Sequence, residues 1–447
     1  MPTLERTTFE TSRLLEYFSE KELQMQIGAE PSRWPIALLK ELIDNSLDAC
    51  EAASIAPDIT VTIDDERLVV CDNGPGLPAS VIERSLDYSV RVSDKSYYAS
   101  PSRGQLGNAL KCVWAAPFVI DGKQGRVLVT TPGCEHEIIV RLDRIAQQPT
   151  LTLASQARPD VKTGTSIAIY WPEVASYLNG SGGDDFYKAI VSARGLIEAY
   201  ATFNPHAAFT LDAGGQRLRI EPTTTDWTKW QPSDPTSPHW YTTERFTALI
   251  GAYLTIERGG GQPRTVREFI TEFRGLSGSA KARAIATEAG LSGAKLSDLV
   301  AGDGLDHNRI ATLLATMRSH SRPVKPATLG VLGEDHLRQR LVGRHGVTST
   351  SVKYRKAPGE CRGVPFVWEV AFGVYDEDES ERGRTLIVGL NWSPAISTPM
   401  QELMRLLGEQ RLDVHDPVAL IVHLACPVIP YLDHGKSIID LTSGGSR

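Results

Sequence analysis

Apolar residues recur at helical spacing early in the chain and at strand spacing soon after. Leu14, Leu15, Phe18, Leu23 and Met25 predict a helix over 12–29, and Leu39, Leu42, Ile43 and Leu47 predict a longer one over 33–53. Pro35 sits near the start of the second, where a missing N–H costs least. Apolar runs at 59–63 and 68–71, around Asp64-Asp65-Glu66, predict a β-hairpin. A short helix is expected over 82–88, a polar loop over 92–102 and a helix over 106–116. Strands follow at 126–131, 137–142 and 166–171, then a helix over 185–202. The first 221 residues therefore read as an α/β sandwich, helices over a mixed sheet.

The pattern changes after that. Residues 222–238 are rich in Thr, Trp, Pro and Ser and read as a linker. Short helices are predicted at 243–257, 264–274, 279–289, 296–301 and 307–317, punctuated by Gly275, Gly278, Gly290 and Gly304. Residues 344–358 read as basic and turn-rich. Strands at 364–374 and 385–390, a helix at 400–407 and a buried strand at 418–426 close the chain as a β/α domain. The expected fold class is α+β and multidomain: 1–221, a linker and helical module at 222–340, and 341–447.

Composition narrows the function. A chain of 447 residues exceeds one ordinary core. The N-terminus has no apolar segment of the secretory kind. The most apolar stretch, 418–432, is too short and too broken by His423, Pro427 and Pro430 to span a bilayer, so no membrane is expected. Six cysteines without Cys-x-x-Cys spacing argue against a zinc site and fit a reducing cytoplasm. The net charge of −7 is uneven. Between 261 and 362 there are 17 Lys+Arg against 9 Asp+Glu, a surplus of about eight positive charges. A basic middle in an acidic chain suits a polyanion partner, or ordinary solvated helix faces.

Three polar constellations carry candidate chemistry. Glu41, Asn45 and Asp48 lie at i, i+4 and i+7 and stack on one face of the 33–53 helix. Such a stripe faces either solvent or a ligand. In the second case Glu41 polarises a water, and Asn45 offers its amide oxygen to magnesium. Asp72 ends a strand and enters Asn73-Gly74-Pro75-Gly76, which suits a plain β-turn. It equally suits a carboxylate accepting from an exocyclic amine, with Gly74 and Gly76 letting the backbone approach a base ring. The run Arg103-Gly104-Gln105-Leu106-Gly107-Asn108-Ala109-Leu110-Lys111 is a glycine loop opening a helix, where N–H groups and the positive helix end receive phosphate. Upstream, Asp94-Lys95 sits in a polar loop able to close as a lid. Gly164-Thr165 begins a strand and offers either that alone or a hydroxyl in the floor of a base pocket.

In this order and spacing the motifs resemble those of the GHKL ATPase family, which groups gyrase, heat-shock chaperone, histidine kinase and MutL. Glu41-x-x-x-Asn45 looks like its N-box and Asp72-x-Gly74-x-Gly76 like its adenine-contacting box. The Gly104 loop is similar to the lid hinge, and Gly164-Thr165 to the last box. Within that family the likeness is to the B subunits of type IIB topoisomerases (topoisomerase VI). It rests on Ser93-Asp94-Lys95 with Ser102-Arg103-Gly104, on Asn204-Pro205-His206-Ala207, on a 264–317 segment similar to a helix–two-turn–helix insert, and on Leu329–Glu334. The resemblance implies ATP and magnesium as cofactors and a homodimer formed on ATP binding. It implies duplex DNA against the basic 261–362 region and a DNA-cleaving A-type subunit as partner. It also implies a C-terminal transducer whose Lys436 reaches the γ-phosphate. Two departures stand out: Ala109 replaces the usual third lid glycine, and the sequence ends at Arg447, soon after Lys436, with no long stalk helix. The second keeps an alternative open, a nucleotide-gated clamp that recruits a nuclease or defence partner without strand passage. A chaperone-like or repair-like GHKL ATPase fits less well with the 264–317 helices.

Overall fold

The computed structural model describes residues 18–88, 97–103, 109–143, 145, 148–178, 192–302, 304–375, 385–396 and 417–429. Its helices are α1 (Glu20–Ile27), α2 (Trp34–Ala52), α3 (Ala79–Ser85), α4 (Ala109–Asp121), α5 (Val174–Leu178), α6 (Ala193–Phe203), α7 (Thr243–Arg258), α8 (Val266–Thr271), α9 (Ser279–Glu288), α10 (His307–Ser319) and α11 (Glu334–His345). The first strands are β1 (Asp58–Ile63), β2 (Arg67–Cys71), β3 (Gln124–Thr131), β4 (Gly133–Asp143), β5 (Gln148–Arg158), β6 (Ser166–Tyr170), β7 (Ala208–Ala213) and β8 (Gln216–Ile220). They form an eight-stranded sheet in the order β5-β4-β3-β6-β2-β1-β7-β8. The β1–β7 pair is parallel and its neighbours antiparallel, so the sheet is mixed, as the sequence leads one to expect.

Period-two burial makes this sheet one-sided. Ile59, Val61, Ile63, Leu68, Val70, Val127 and Val129 share one core with Leu38, Leu39, Leu42, Ile43 and Leu47 of α2, Val113 and Trp114 of α4, and Ile197 and Tyr200 of α6. Almost all of α2 is sunk, including Asp44, Asp48 and Glu51, so its polar groups must find partners inside the protein.

A second core joins the helices after residue 240 to the closing sheet. Phe246, Phe269, Phe273, Ile285, Ile310 and Leu313 lie in one cluster with Leu337, Val367, Ala371 and Ile421. After the short β9 (Val300–Ala301) and β10 (Gly304–Leu305), the closing strands are β11 (Lys353–Cys361), β12 (Val364–Val374), β13 (Thr385–Leu390), β14 (Ser393–Pro394) and β15 (Val418–Ala425). Their order is β11-β12-β15-β13-β14.

Several expectations change. The basic 344–358 stretch is not a run of turns: α11 extends to His345 and β11 begins at Lys353. The 222–238 linker is packed, with Trp230 only 1% exposed and Lys229 bridged to Gly330. The 296–301 helix is a short 3-10 turn (Leu296–Leu299) leading into β9. Residues 1–17, the first part of the 185–202 helix and the 400–407 helix lie outside the described residues.

Candidate functional site

Asp72 follows directly on β2, and its carboxylate is held at both oxygens. Its Oδ1 accepts from the N–H groups of Gly74 (2.9 Å) and Thr165 (3.1 Å). Its Oδ2 accepts from Ser46 Oγ at 3.0 Å. The Gly164 N–H in turn donates to the Gly74 carbonyl at 2.7 Å. Gly164 has φ of +85°, and a Cβ there would meet the Asp72 carbonyl oxygen at 2.2 Å, so only glycine fits. Two motifs, with Asp72 and Thr165 93 residues apart in the chain, thus become one structure. Burial lifts the Asp72 carboxyl above its ordinary value, and the three hydrogen bonds pull only partly back.

A cavity of about 1170 Å³ opens beside it. Among its lining residues are Leu42, Asn45, Ser46 and Asp48 of α2, Asp72 and Gly76 of the turn, Ala109, Leu110 and Lys111 of α4, and Thr165 and Ile167. Gly74 shapes the turn from behind, close to Cys50. The Asn45 side chain makes no hydrogen bond among the described residues and is half-buried on the cavity wall. One neutral oxygen donor suits magnesium, which takes few protein ligands and keeps waters or phosphates for the rest. Among the described residues no cluster of three His, Cys, Asp or Glu could hold a metal by itself.

Glu41 lies one turn before Asn45, outside the described lining of the cavity, with Lys40 Nζ at 3.7 Å and a side chain 28% exposed. Lys111 is buried: its ammonium donates to the Asp87 carbonyl and stands 5.4 Å from the Tyr88 ring centroid. Burial lowers its pKa. Ser93, Asp94 and Lys95, together with Gly104, Gln105, Leu106, Gly107 and Asn108, lie outside the described residues, as does Lys436.

Arg103 departs from expectation. Rather than pointing into the cavity as part of a phosphate cradle, its guanidinium is fully buried among acids. It donates to Asp48 Oδ1 (2.9 Å), to both Glu51 oxygens (2.8 and 2.9 Å) and to Asn204. Glu51 also meets Lys229 Nζ at 2.7 Å and His206 Nε2 at 3.1 Å. Burial alone would raise the Glu51 carboxyl, but Arg103 and Lys229 outweigh it and hold it well below the usual range. The physical reason is pairing: two buried carboxylates need two buried cations, and a guanidinium matches carboxylates bidentately. Asp48 therefore lines the cavity and anchors Arg103 at once. Ser46, Glu51, Lys229 and Asn204 were not singled out as site residues. The sequence signals are the Asn204-Pro205-His206-Ala207 run and the stacking of Asp44, Asp48 and Glu51 at i, i+4 and i+7 on a largely apolar helix.

The closing sheet docks onto the same helices. Ser393 Oγ donates to Asp44 Oδ2 at 2.8 Å, and Tyr200 donates to Asp44 Oδ1 at 2.7 Å. The Trp392 carbonyl accepts from Asn204 Nδ2 at 3.0 Å. Gly389 lets β13 approach α6 closely, since a Cβ there would meet the Phe203 ring at 2.5 Å.

The chain is 24% identical over 441 residues to the B subunit of a type 2 DNA topoisomerase 6 from Archaeoglobus fulgidus, covering 94% of this chain and 69% of that protein. Its counterpart in Metallosphaera sedula is 23% identical over 444 residues, covering 94% of this chain and 78% of that protein. These relatives are topoisomerase 6 B subunits. The resemblance that the motifs suggested is met by topoisomerase 6 B relatives along nearly the whole chain. A third relative, from Halobacterium salinarum, is 28% identical over 219 residues, covering 46% of this chain and 25% of that protein. No family model matches the chain. Among solved structures, the B subunit of DNA gyrase from Myxococcus xanthus aligns at a TM-score of 0.40 with 10% identity, covering 96% of this chain and 91% of that chain. The MutL ATPase domain of Aquifex aeolicus complexed with ADP aligns at 0.33 with 13% identity, covering 87% and 90%. No described helix is long and apolar enough to cross a membrane.

Proposed function

We propose that this protein binds and hydrolyses ATP as the B-type subunit of a topoisomerase VI-like complex. The observation that carries the reading is the Asp72–Ser46–Thr165 clamp, built on Gly164 at the wall of the cavity. A buried carboxylate fixed by two backbone donors and a hydroxyl presents a lone pair that an exocyclic adenine amine can satisfy and a keto base cannot. Asn45 would hold magnesium, whose charge offsets that of the phosphates when bound. Asp48 and the Ala109–Lys111 turn would line the nucleotide, with Ser93–Lys95 and Gly104–Asn108 closing over it. Glu41 would orient and deprotonate the attacking water, and Lys436 would reach the γ-phosphate.

In this reading 1–221 is the nucleotide domain, 222–340 carries the helical module and 341–447 is the transducer. ATP favours a closed homodimer through contacts made only in that state. Exposed Arg267, Arg283, Arg322, Lys325, Lys353, Arg355 and Lys356 would meet duplex phosphates, with strand cleavage left to an A-type partner. The relatives' names support the complex, which we place in the cytoplasm.

Calorimetry with Mg·ATP tests the reading. Saturable heat with one site per chain is expected, with Mg·GTP much weaker. Glu41→Ala should abolish turnover and leave that heat in place, whereas loss of both together would remove Glu41 as the base. Absence of Mg·ATP binding to the intact chain would overturn the whole reading. ATP-dependent relaxation of supercoiled DNA with a cleavage subunit separates strand passage from the clamp alternative.

A further inference from the structure

The far wall of the cavity is not made by the N-terminal sheet and helices. Thr236, Ile256, Glu272 and Phe273 line it, and all four come from the segment after residue 222. Between the two units runs the short stretch 97–103, and it is tied to both.

Tyr98 lines the cavity, and its hydroxyl meets that of Tyr253 on α7. Tyr253 donates to Glu272 Oε2 at 2.7 Å. An ionised carboxylate only accepts, so Tyr253 spends its proton on Glu272 and takes the Tyr98 proton on its own oxygen. The direction of the relay is thereby fixed. Arg264 completes it, paired with the same carboxylate and stacked 4.5 Å from the Tyr253 ring centroid. One residue on, the Ala99 N–H donates to Tyr241 Oη at 3.1 Å, and Tyr241 meets Thr236 Oγ1 at 2.8 Å. Four residues further, Arg103 enters the Asp48–Glu51 cluster on α2. Both ends of the strip thus terminate on elements that line the cavity.

From this we propose that the helical module senses the nucleotide in its own chain: occupancy of the cavity sets the position of α7 and α8 through the Tyr98–Tyr253–Glu272 relay. The inference rests on the nucleotide reading above and adds to it a regulatory connection. By linkage, whatever binds the helical module changes nucleotide affinity by the same factor. The bonds are buried or half-buried, so they hold their geometry where exposed ones would yield to water.

Hydrogen exchange on the full chain, with and without Mg·AMPPNP, tests it, alongside calorimetry on the same samples. In the wild type, exchange within α7 and α8 should slow about fivefold or more on nucleotide binding. Tyr253→Phe keeps the ring and removes the relay proton. It should still bind Mg·AMPPNP yet lose most of that protection, and Tyr98→Phe, brought to saturation with Mg·AMPPNP as followed by calorimetry, should lose the protection from the other side. Unchanged α7 and α8 exchange in a nucleotide-saturated wild type overturns the inference while leaving the nucleotide reading intact. So does full protection in both tyrosine variants. A wild type that gives no calorimetric heat brings down the nucleotide reading, and this inference with it.

Discussion

Asp72 shows how one carboxylate serves the fold and the site in opposite directions. Burial favours its neutral form, so the stability it contributes is fully present below its unfolded value and is lost as pH rises through the raised folded one. Accepting from an adenine amine needs the ionised form. Nucleotide affinity is therefore expected to fall on acidification at a pH above that at which exposed carboxylates protonate, and calorimetry across pH 4 to 7 reads this directly. Asp72→Asn keeps the shape but turns an NH₂ toward the Ser46 hydroxyl or the backbone donors. With a buried donor left unmet, ATP should bind about ten- to a hundredfold more weakly. Gly164→Ala forces Cβ into the Asp72 carbonyl; it should abolish nucleotide binding and lower the melting temperature, and wild-type affinity there would contradict the clamp.

At the scale of elements, β12 and β15 meet across a buried acid–imidazole contact. Glu369 accepts from the N–H groups of Leu332 (2.8 Å) and Gly333 (2.9 Å) and from Tyr354 (2.8 Å), with His423 Nδ1 at 3.2 Å. Burial pushes its carboxyl up, but His423 and the Gly333 and Leu332 N–H groups bring it down to about 2. A depressed acid stabilises the fold above its unfolded value and ceases to as pH falls toward the folded one. The unfolding free energy read from denaturant titrations should thus decline between about pH 5 and pH 2, by about 3 kcal/mol from this group. Glu369→Gln should be less stable at neutral pH and flatter over that window. Elements with strong periodicity were legible in the sequence: α2, the β1–β2 hairpin, β3, β12 and β15 stand where the pattern puts them. Others were missed for physical reasons. β11 is an edge strand, exposed on both faces, so it has no apolar alternation to read and its Lys353, Arg355 and Lys356 look like a loop. The 222–238 stretch looks like a linker because its ordering comes from Trp227 and Trp230 donating to the distant Val331 and Leu329 carbonyls. The Asp72–Gly76 turn and Thr165 were readable as types. That Arg103 would face Glu51 rather than the cavity was not, because its partners lie 52 residues back and 101 residues ahead.

For the molecule as a whole, the basic surplus is testable by salt. If duplex DNA lies against the helical module and β11, the logarithm of affinity should fall linearly with the logarithm of salt concentration. Replacing Lys353, Arg355 and Lys356 with Ser together should reduce the slope by about 0.9 for each phosphate no longer neutralised. A slope unchanged by the triple replacement removes β11 from the interface. Arg103→Met should cost about 3–5 kcal/mol in denaturant unfolding, since it takes the cation from Asp48 and leaves Glu51 with Lys229 and His206 alone. That cluster also dictates how the protein can be dissected. Glu51 sits on α2, but half of its compensating charge arrives from Lys229, beyond the apparent end of the nucleotide domain. A fragment cut at residue 221 would carry two buried acids, Asp48 and Glu51, against the single guanidinium of Arg103. Expression of an isolated N-terminal half should therefore yield insoluble or proteolysed material, unless the piece reaches past Lys229 or Glu51 is neutralised to glutamine along with the cut.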